Sequence, residues 1–173
     1  MTEKQENILN AALELFAEQG YAATSTSKVA KEAGVSEGLI FRHFSNKEGL
    51  LNAIMEHIKE MAFKAYAPIL AKSDPKEIIK GVLEMPFTIS EEQYHFWKLL
   101  YSFKWQTEIY DDSISAPIKN ALINAFKKLG YNNPEAEAEG IMIIIDGLAV
   151  AVLLRQPNNM DEIRTSFLNK YEL

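Results

Sequence analysis

Cysteine is absent from the 173 residues, which excludes disulfide staples and thiolate chemistry and is compatible with a reducing cytoplasm. Histidine is scarce. His43, His57 and His95 are scattered, with no His-x-x-x-His or Glu-x-x-His pair to hold a metal and no local partner for general acid–base work. No catalytic residue, metal site or cofactor is therefore assigned. The longest apolar run, Ile141 to Leu154, spans 14 residues and contains Asp146, short of the roughly 20 apolar residues of a membrane helix. The opening MTEKQENILNAALELF lacks the basic and apolar regions of a signal peptide, so the expectation is a cytoplasmic protein without membrane contact. Alternating runs of Val, Ile and Thr are missing, which leaves no strand to compete with helix.

Positive charge is also in short supply. The formal net charge is -6, and residues 1–50 hold five Lys or Arg against seven Glu. General polyanion binding is excluded on that balance, and any nucleic-acid contact has to rest on local geometry.

What the chain does have is helix punctuation and a normal globular composition, 47% hydrophobic and 24% charged. Thr2–Gln5, Ser45–Glu48, Ser90–Gln93 and Asn159–Glu162 each place a capping side chain three residues before Glu or Gln. Asp74-Pro75 and Asn133-Pro134 add proline at a first helical position, and Gly20, Gly34 and Gly130 stand where helices should stop. The spacing predicts helices over 3–19, 26–33, 37–43, 47–71, 75–86, 91–110, 115–129, 134–155 and 160–171. The fold class is all-α with about nine helices. A small helix-turn-helix domain, 1–46, precedes a larger helical domain, 47–173, and the helix from Lys47 runs on from one into the other.

A short helix, a tight turn with glycine and a second short helix form a unit that lays its second helix in the DNA major groove. Thr26 to Ala33 is the supporting helix here, Gly34-Val35-Ser36 the turn, and Glu37 to His43 the recognition helix. Val29, Ala30, Val35, Leu39, Ile40 and Phe44 are the expected packing residues. Ser36, Glu37, Gly38, Phe41, Arg42 and His43 are left to solvent. The ordered set Ala12…Phe16…Gly20-Tyr21, Ala30…Ala33-Gly34-Val35-Ser36, His43-Phe44 and Lys47-Glu48 resembles the DNA-binding domain of the TetR/AcrR family of transcriptional regulators over roughly residues 5–55.

That resemblance implies a backbone phosphate held by Thr26, and Ser36 and Gly38 close to DNA. It implies phosphate contacts from His43 and Lys47, and a base edge or phosphate for Lys28 and Arg42. Position 41 is usually tyrosine in the family; Phe41 forgoes the phosphate hydrogen bond and keeps only apolar contact. Glu37 has two readings: a carboxylate accepting from cytosine N4, or a charge that merely suits a helix N-terminus.

In the second domain, YHFWKLLYSFKWQTEIY, residues 94–110, holds seven aromatic residues. These are bundle core or the lining of an apolar cavity. The resemblance, through the effector that family members bind in this domain, favours the cavity, with Phe63, Tyr66, Trp97, Tyr101 and Trp105 as candidates. Gly140 and Gly147 lie one heptad apart beside Ala136, Ala151 and the Ile143–Ile145 run. The resemblance implies that the last two helices pair with their copies in a two-fold four-helix interface, with Gly140, Ile144, Gly147, Ala151 and Phe167 as candidates; intrachain core is the alternative. The expected function is a homodimeric repressor on a palindromic double-stranded operator, released by a small apolar or aromatic effector. An all-helical carrier or enzyme without a DNA role is the rival, and a helix-turn-helix protein acting only through protein partners is a third reading.

Overall fold

Helices begin where a capping side chain meets the first unpaired N–H groups, and the computed structural model, which describes residues 2–90, 93–103 and 112–173, carries most of these caps. Thr2 Oγ1 accepts from the Gln5 N–H at 3.3 Å while Gln5 Oε1 accepts from the Thr2 N–H at 2.8 Å. This reciprocal box starts α1 (Glu3–Gln19). Ser25 caps α2 (Thr26–Glu32) through the Lys28 N–H. Next come α3 (Glu37–Phe44) and α4 (Lys47–Leu70). Asp74 and Asn133, each followed by proline, cap α5 (Pro75–Glu84) and α8 (Pro134–Val150). The remaining helices are α6 (Tyr94–Phe103), α7 (Ala116–Lys128) and α9 (Met160–Lys170). Among the described residues there is no strand, and the all-α expectation holds.

Several boundaries differ from the sequence expectation, each for a local reason. The cap of α4 is Asn46, not Ser45: Asn46 Oδ1 accepts from the Gly49 N–H at 2.7 Å. Asn159 makes no side-chain cap bond at α9. Helix α5 stops at Glu84 and the chain tightens into a 3-10 turn over Met85–Thr88, because Pro86 has no N–H to continue the ladder. Beyond α8, Ala151–Arg155 widens into a π turn closed by the Gln156 N–H on the Ala151 carbonyl at 2.9 Å. Residues 91, 92 and 104–110 of the helix expected at 91–110 lie outside the described residues.

Packing divides the chain into two compact units, Met1–Met61 with Glu92–Tyr110, and Ala62–Glu91 with Asp111–Leu173. In the first, α1 packs on α2 and α6, and α2 on α3. Ile8, Ala12, Phe16, Val29, Ile40 and Ile54 are fully enclosed, each large apolar one contributing about 1.5–3 kcal/mol by leaving water. Thr24 is buried and satisfied, its hydroxyl shared between the carbonyls of Gly20 and Leu15, which pins the loop after α1. This division differs from the 46/47 boundary. The early turns of α4 bury Leu50, Leu51, Ile54 and Ile58, and so they count with the first unit although they follow its motif.

In the second unit α5 packs on α7, α8 and α9, and α7 on α8, around Ile79, Val82, Leu83, Ile118, Leu122, Phe126 and Ile141. Phe126 receives the edge of Tyr131 at 4.9 Å just past the end of α7. Helix α9 has no fully buried residue and is tied to α5 by the exposed ion pair of Arg164 with Glu84.

Candidate nucleic-acid interface

The turn between α2 and α3 is closed by two bonds, the Val35 N–H on the Ala30 carbonyl at 2.9 Å and the Gly34 N–H on the Lys31 carbonyl at 3.3 Å. This pattern needs a left-handed residue at its centre, and Gly34 supplies it at φ 65. The chain leaves the turn extended at Ser36 and enters α3, which at eight residues is about 12 Å long. Its inner side packs on α2, with Ile40 fully buried, Val29 and Ala30 of α2 buried, and Val35, Leu39 and Phe44 half-buried. Its outer side leaves Ser36, Gly38, Phe41 and Arg42 exposed, with Glu37 and His43 half-buried. This is the face expected from the sequence.

What holds these groups was not expected. Thr26 Oγ1 donates to Glu37 Oε1 at 2.6 Å, so two candidate DNA contacts are bonded to each other. Lys28 Nζ donates to Gln19 Oε1. Lys47 sits with its ammonium 4.3 Å from the centre of the Tyr21 ring and donates to the Ala22 carbonyl at 3.4 Å. Burial, and then the Glu48 carboxylate, hold the Tyr21 hydroxyl above its ordinary range, so the ring under Lys47 stays neutral. Arg42 has no ion-pair partner among the described residues, the Ser36 hydroxyl makes no cap bond, and both side chains are exposed.

His43 is oriented from α1. Its Nδ1 lies 3.4 Å from Gln5 Nε2. The other end of that amide is committed, because Gln5 Oε1 accepts from the Thr2 N–H, so the NH2 end faces the imidazole. An NH2 group only donates; with the amide placed this way Nδ1 accepts, and the ring proton belongs on Nε2. In the sequence Gln5 is legible only as a capping residue. Its second role depends on a residue 38 positions away and has no local signal.

Between α3 and α4 the backbone is pinched. Ser45 takes φ 68 and ψ -46, and the Asn46 N–H donates to the Phe44 carbonyl at 2.8 Å, the geometry of a strained γ-turn. The Phe44 oxygen then lies 1.9 Å from where a Cβ on Gly49 would sit, so any side chain at position 49 would force the backbone to shift at this crossing. Lys47→Ala should weaken binding of all duplexes alike and lower the slope of log affinity against log salt by about 1, read from titrations between low and moderate salt.

The other candidates fall elsewhere. Phe63 is exposed and Tyr66 buried on α4 in the second unit, while Trp97 and Tyr101 stand on α6 in the first. Trp97 has its indole Nε1 buried without a hydrogen-bond partner among the described residues. Trp105 lies outside the described residues. On α8, Gly147 is exposed, and Gly140 and Ile144 are half-buried. Ala151 is buried within its own chain, so it is unsuited to a contact with a second copy. Phe167 is half-buried on α9.

A glycine-closed turn that presents a short second helix with hydroxyl, guanidinium, imidazole and ring groups outward defines a helix-turn-helix DNA-binding module. The sequence pattern described as "Bacterial regulatory proteins, tetR family" matches residues 8–54. The chain is 46% identical over 160 residues to the HTH-type transcriptional regulator YvkB of Bacillus subtilis, covering 85% of this chain and 82% of that protein. It is 35% identical over 103 residues to the HTH-type transcriptional regulator YerO of the same organism, spanning 58% of this chain and 36% of that longer protein. Its fold matches a transcriptional regulator from Saccharomonospora viridis, solved in complex with choline, at a TM-score of 0.75 with 20% identity, over 98% of this chain and 97% of that one. The chain belongs to the TetR family of bacterial transcriptional regulators.

Proposed function

We propose that this regulator is a homodimeric repressor: two copies pair through α8 and α9, bind a palindromic duplex operator, and leave it when a small apolar or aromatic effector binds. The observation that carries the reading is a stripe on α8 and its extension. Ala136, Gly140, Ile143, Gly147, Val150 and Leu154 recur at alternating steps of four and three, the spacing of a seam between paired helices. Ile143 is 65% and Leu154 70% exposed, and a Cβ on Gly140 or Gly147 would meet nothing within 4 Å. Small residues alternating with bare aliphatic ones suit a second copy of the same helix at close range. Ile144 and Phe167 flank this seam in the proposal; Ala151 does not belong to it.

Two-fold pairing suits DNA reading, because one short helix touches few bases while two address half-sites about 34 Å apart. Thr26, Lys28, Ser36, Glu37, Gly38, Phe41, Arg42, His43 and Lys47 remain the proposed DNA-facing set. For the effector, the supporting observation is the indole N–H of Trp97, which has no partner among the described residues, since a buried donor without an acceptor carries a cost that a ligand oxygen can relieve. Phe63, Tyr66 and Tyr101 are to be tested beside it, one substitution at a time.

The test begins with selection of duplexes from a randomised library by the full chain. Transcription in vitro from a promoter carrying the enriched site should fall when protein is added and recover with effector. A rise in transcript on adding protein would make it an activator, and a monomer bound to a non-palindromic site would end the dimer reading. Apolar and aromatic compounds are the effector probes, with choline as the cationic contrast and thermal shift as the readout. For whichever ligand shifts the melt, Trp97→Phe should weaken it by about three- to tenfold, the value of one hydrogen bond.

A further inference from the structure

Thr26 and Glu37 are separated by 11 residues and belong to different helices, yet the Thr26 hydroxyl donates to the Glu37 carboxylate at 2.6 Å. That length is in the range of strong, charge-assisted O–H···O bonds. A hydroxyl carries one proton, and a phosphate oxygen can only accept. While Thr26 donates to Glu37 it has no proton for phosphate, and a phosphate brought to Thr26 would sit against a carboxylate of its own sign. The two roles exclude each other.

Local structure fixes the donor end. Thr26 is the first residue of α2, whose cap, Ser25, is bonded to the Lys28 N–H, so its backbone is held. Glu37 is the first residue of α3, the end of a recognition helix that meets base edges. Beside it Gly38 has no side chain and open space around its Cβ position, so residue 38 itself puts nothing between the helix end and a base. One Glu37 oxygen is engaged and the other remains an acceptor. Carboxylates in the major groove accept from the exocyclic amine of cytosine.

Resting on the DNA-facing role proposed above for α3, we propose that Thr26 is a positioning residue for Glu37 rather than a phosphate anchor, and that the pair selects cytosine at one position of each half-site. Phosphate contact then falls to the cationic and imidazole groups, Lys28, His43 and Lys47. An acid in the reading helix of a protein of net charge -6 is tolerable on these terms, because it is held in one direction and used at one base.

The experiment takes the duplex enriched by the wild-type chain and measures affinity for all four bases at each half-site position. The proteins compared are wild type, Thr26→Val, Thr26→Ser, Glu37→Ala and the double variant Thr26→Val/Glu37→Ala. Melting curves confirm that each is folded. Wild type should prefer cytosine at one position by about tenfold or more. Thr26→Val and Glu37→Ala should each reduce that preference to about threefold or less, at that position only. The double variant should be no worse than either single one, and Thr26→Ser should keep the preference, since it keeps the hydroxyl. If Thr26→Val weakens all sequences uniformly, and additively with Glu37→Ala, Thr26 holds phosphate and the proposal is overturned. It is equally overturned if Thr26→Ser behaves as Thr26→Val does. Should the wild-type chain enrich no duplex, the DNA-reading face itself has failed, a different result from either.

Discussion

Replacing Gly147 with leucine is expected to leave a folded protomer that no longer dimerises and that binds its operator at least about a hundredfold more weakly. Within one chain the substitution is harmless: Gly147 is exposed, and a Cβ there meets nothing within 4 Å. It also replaces a poor helix former by a good one inside α8, worth up to about 1 kcal/mol. Across the proposed seam the effect reverses. A leucine at the point of closest approach holds the two backbones apart and uncovers Ile143, Val150 and Leu154, each worth about 1.5–3 kcal/mol when fully buried. Two linked DNA-binding heads gain a factor of about 10² to 10⁴ over one, and a monomer forgoes it. Sedimentation equilibrium and mobility shifts read the two losses. The melting temperature of the wild type should rise with protein concentration, while that of the variant should not. A Gly147→Leu protein that stays dimeric with unchanged DNA affinity would remove α8 from the interface.

Gly49→Ala is expected to act in the opposite sense within the protomer, destabilising it by about 1–3 kcal/mol despite alanine's higher helix propensity. The added Cβ would lie 1.9 Å from the Phe44 carbonyl oxygen and 3.1 Å from its carbon. That carbonyl cannot retreat freely, because it accepts from the Asn46 N–H in the turn around Ser45. Nor can Gly49 move without loss, since its own N–H is held by Asn46 Oδ1 at 2.7 Å. Either the end of α3 or the start of α4 has to shift, taking Arg42 and His43 or Lys47 with it. DNA affinity should fall at least about tenfold, the value of losing one or two well-placed contacts. Chemical denaturation and operator titration of the same preparation test both parts. A variant with wild-type stability and affinity would mean that the crossing is not pinched. The pair of glycines makes the comparison informative: within the protomer an added side chain is tolerated where the Cβ site is empty, at Gly147, and damaging where a carbonyl occupies it, at Gly49.

The local devices were readable in advance because they act over three or four residues. The Thr2–Gln5 box, the Asp74-Pro75 and Asn133-Pro134 starts and the turn at Gly34 all formed where the residues indicated. The exposed side of α3 was legible for the same reason, since Ile40 and its neighbours declare which face packs. Asn46 rather than Ser45 caps α4 because Ser45 is drawn into the turn that redirects the chain, a demand set by where α4 goes. The Gln5–His43 and Thr26–Glu37 contacts join helices and leave no periodic trace.

By itself, then, the sequence determined that the chain is helical, where several of its helices start, and that a helix-turn-helix unit lies near its beginning. Caps, breakers and apolar periods are short-range physics written in adjacent residues. Only the tertiary structure decided how the groups around the outer face of α3 are held, which unit the first turns of α4 join, and that Gly147 faces outward while Ala151 is enclosed. Those outcomes depend on which distant atoms fill the space beside a side chain, and a hydroxyl's single proton or a 1.9 Å gap has no counterpart in residue order.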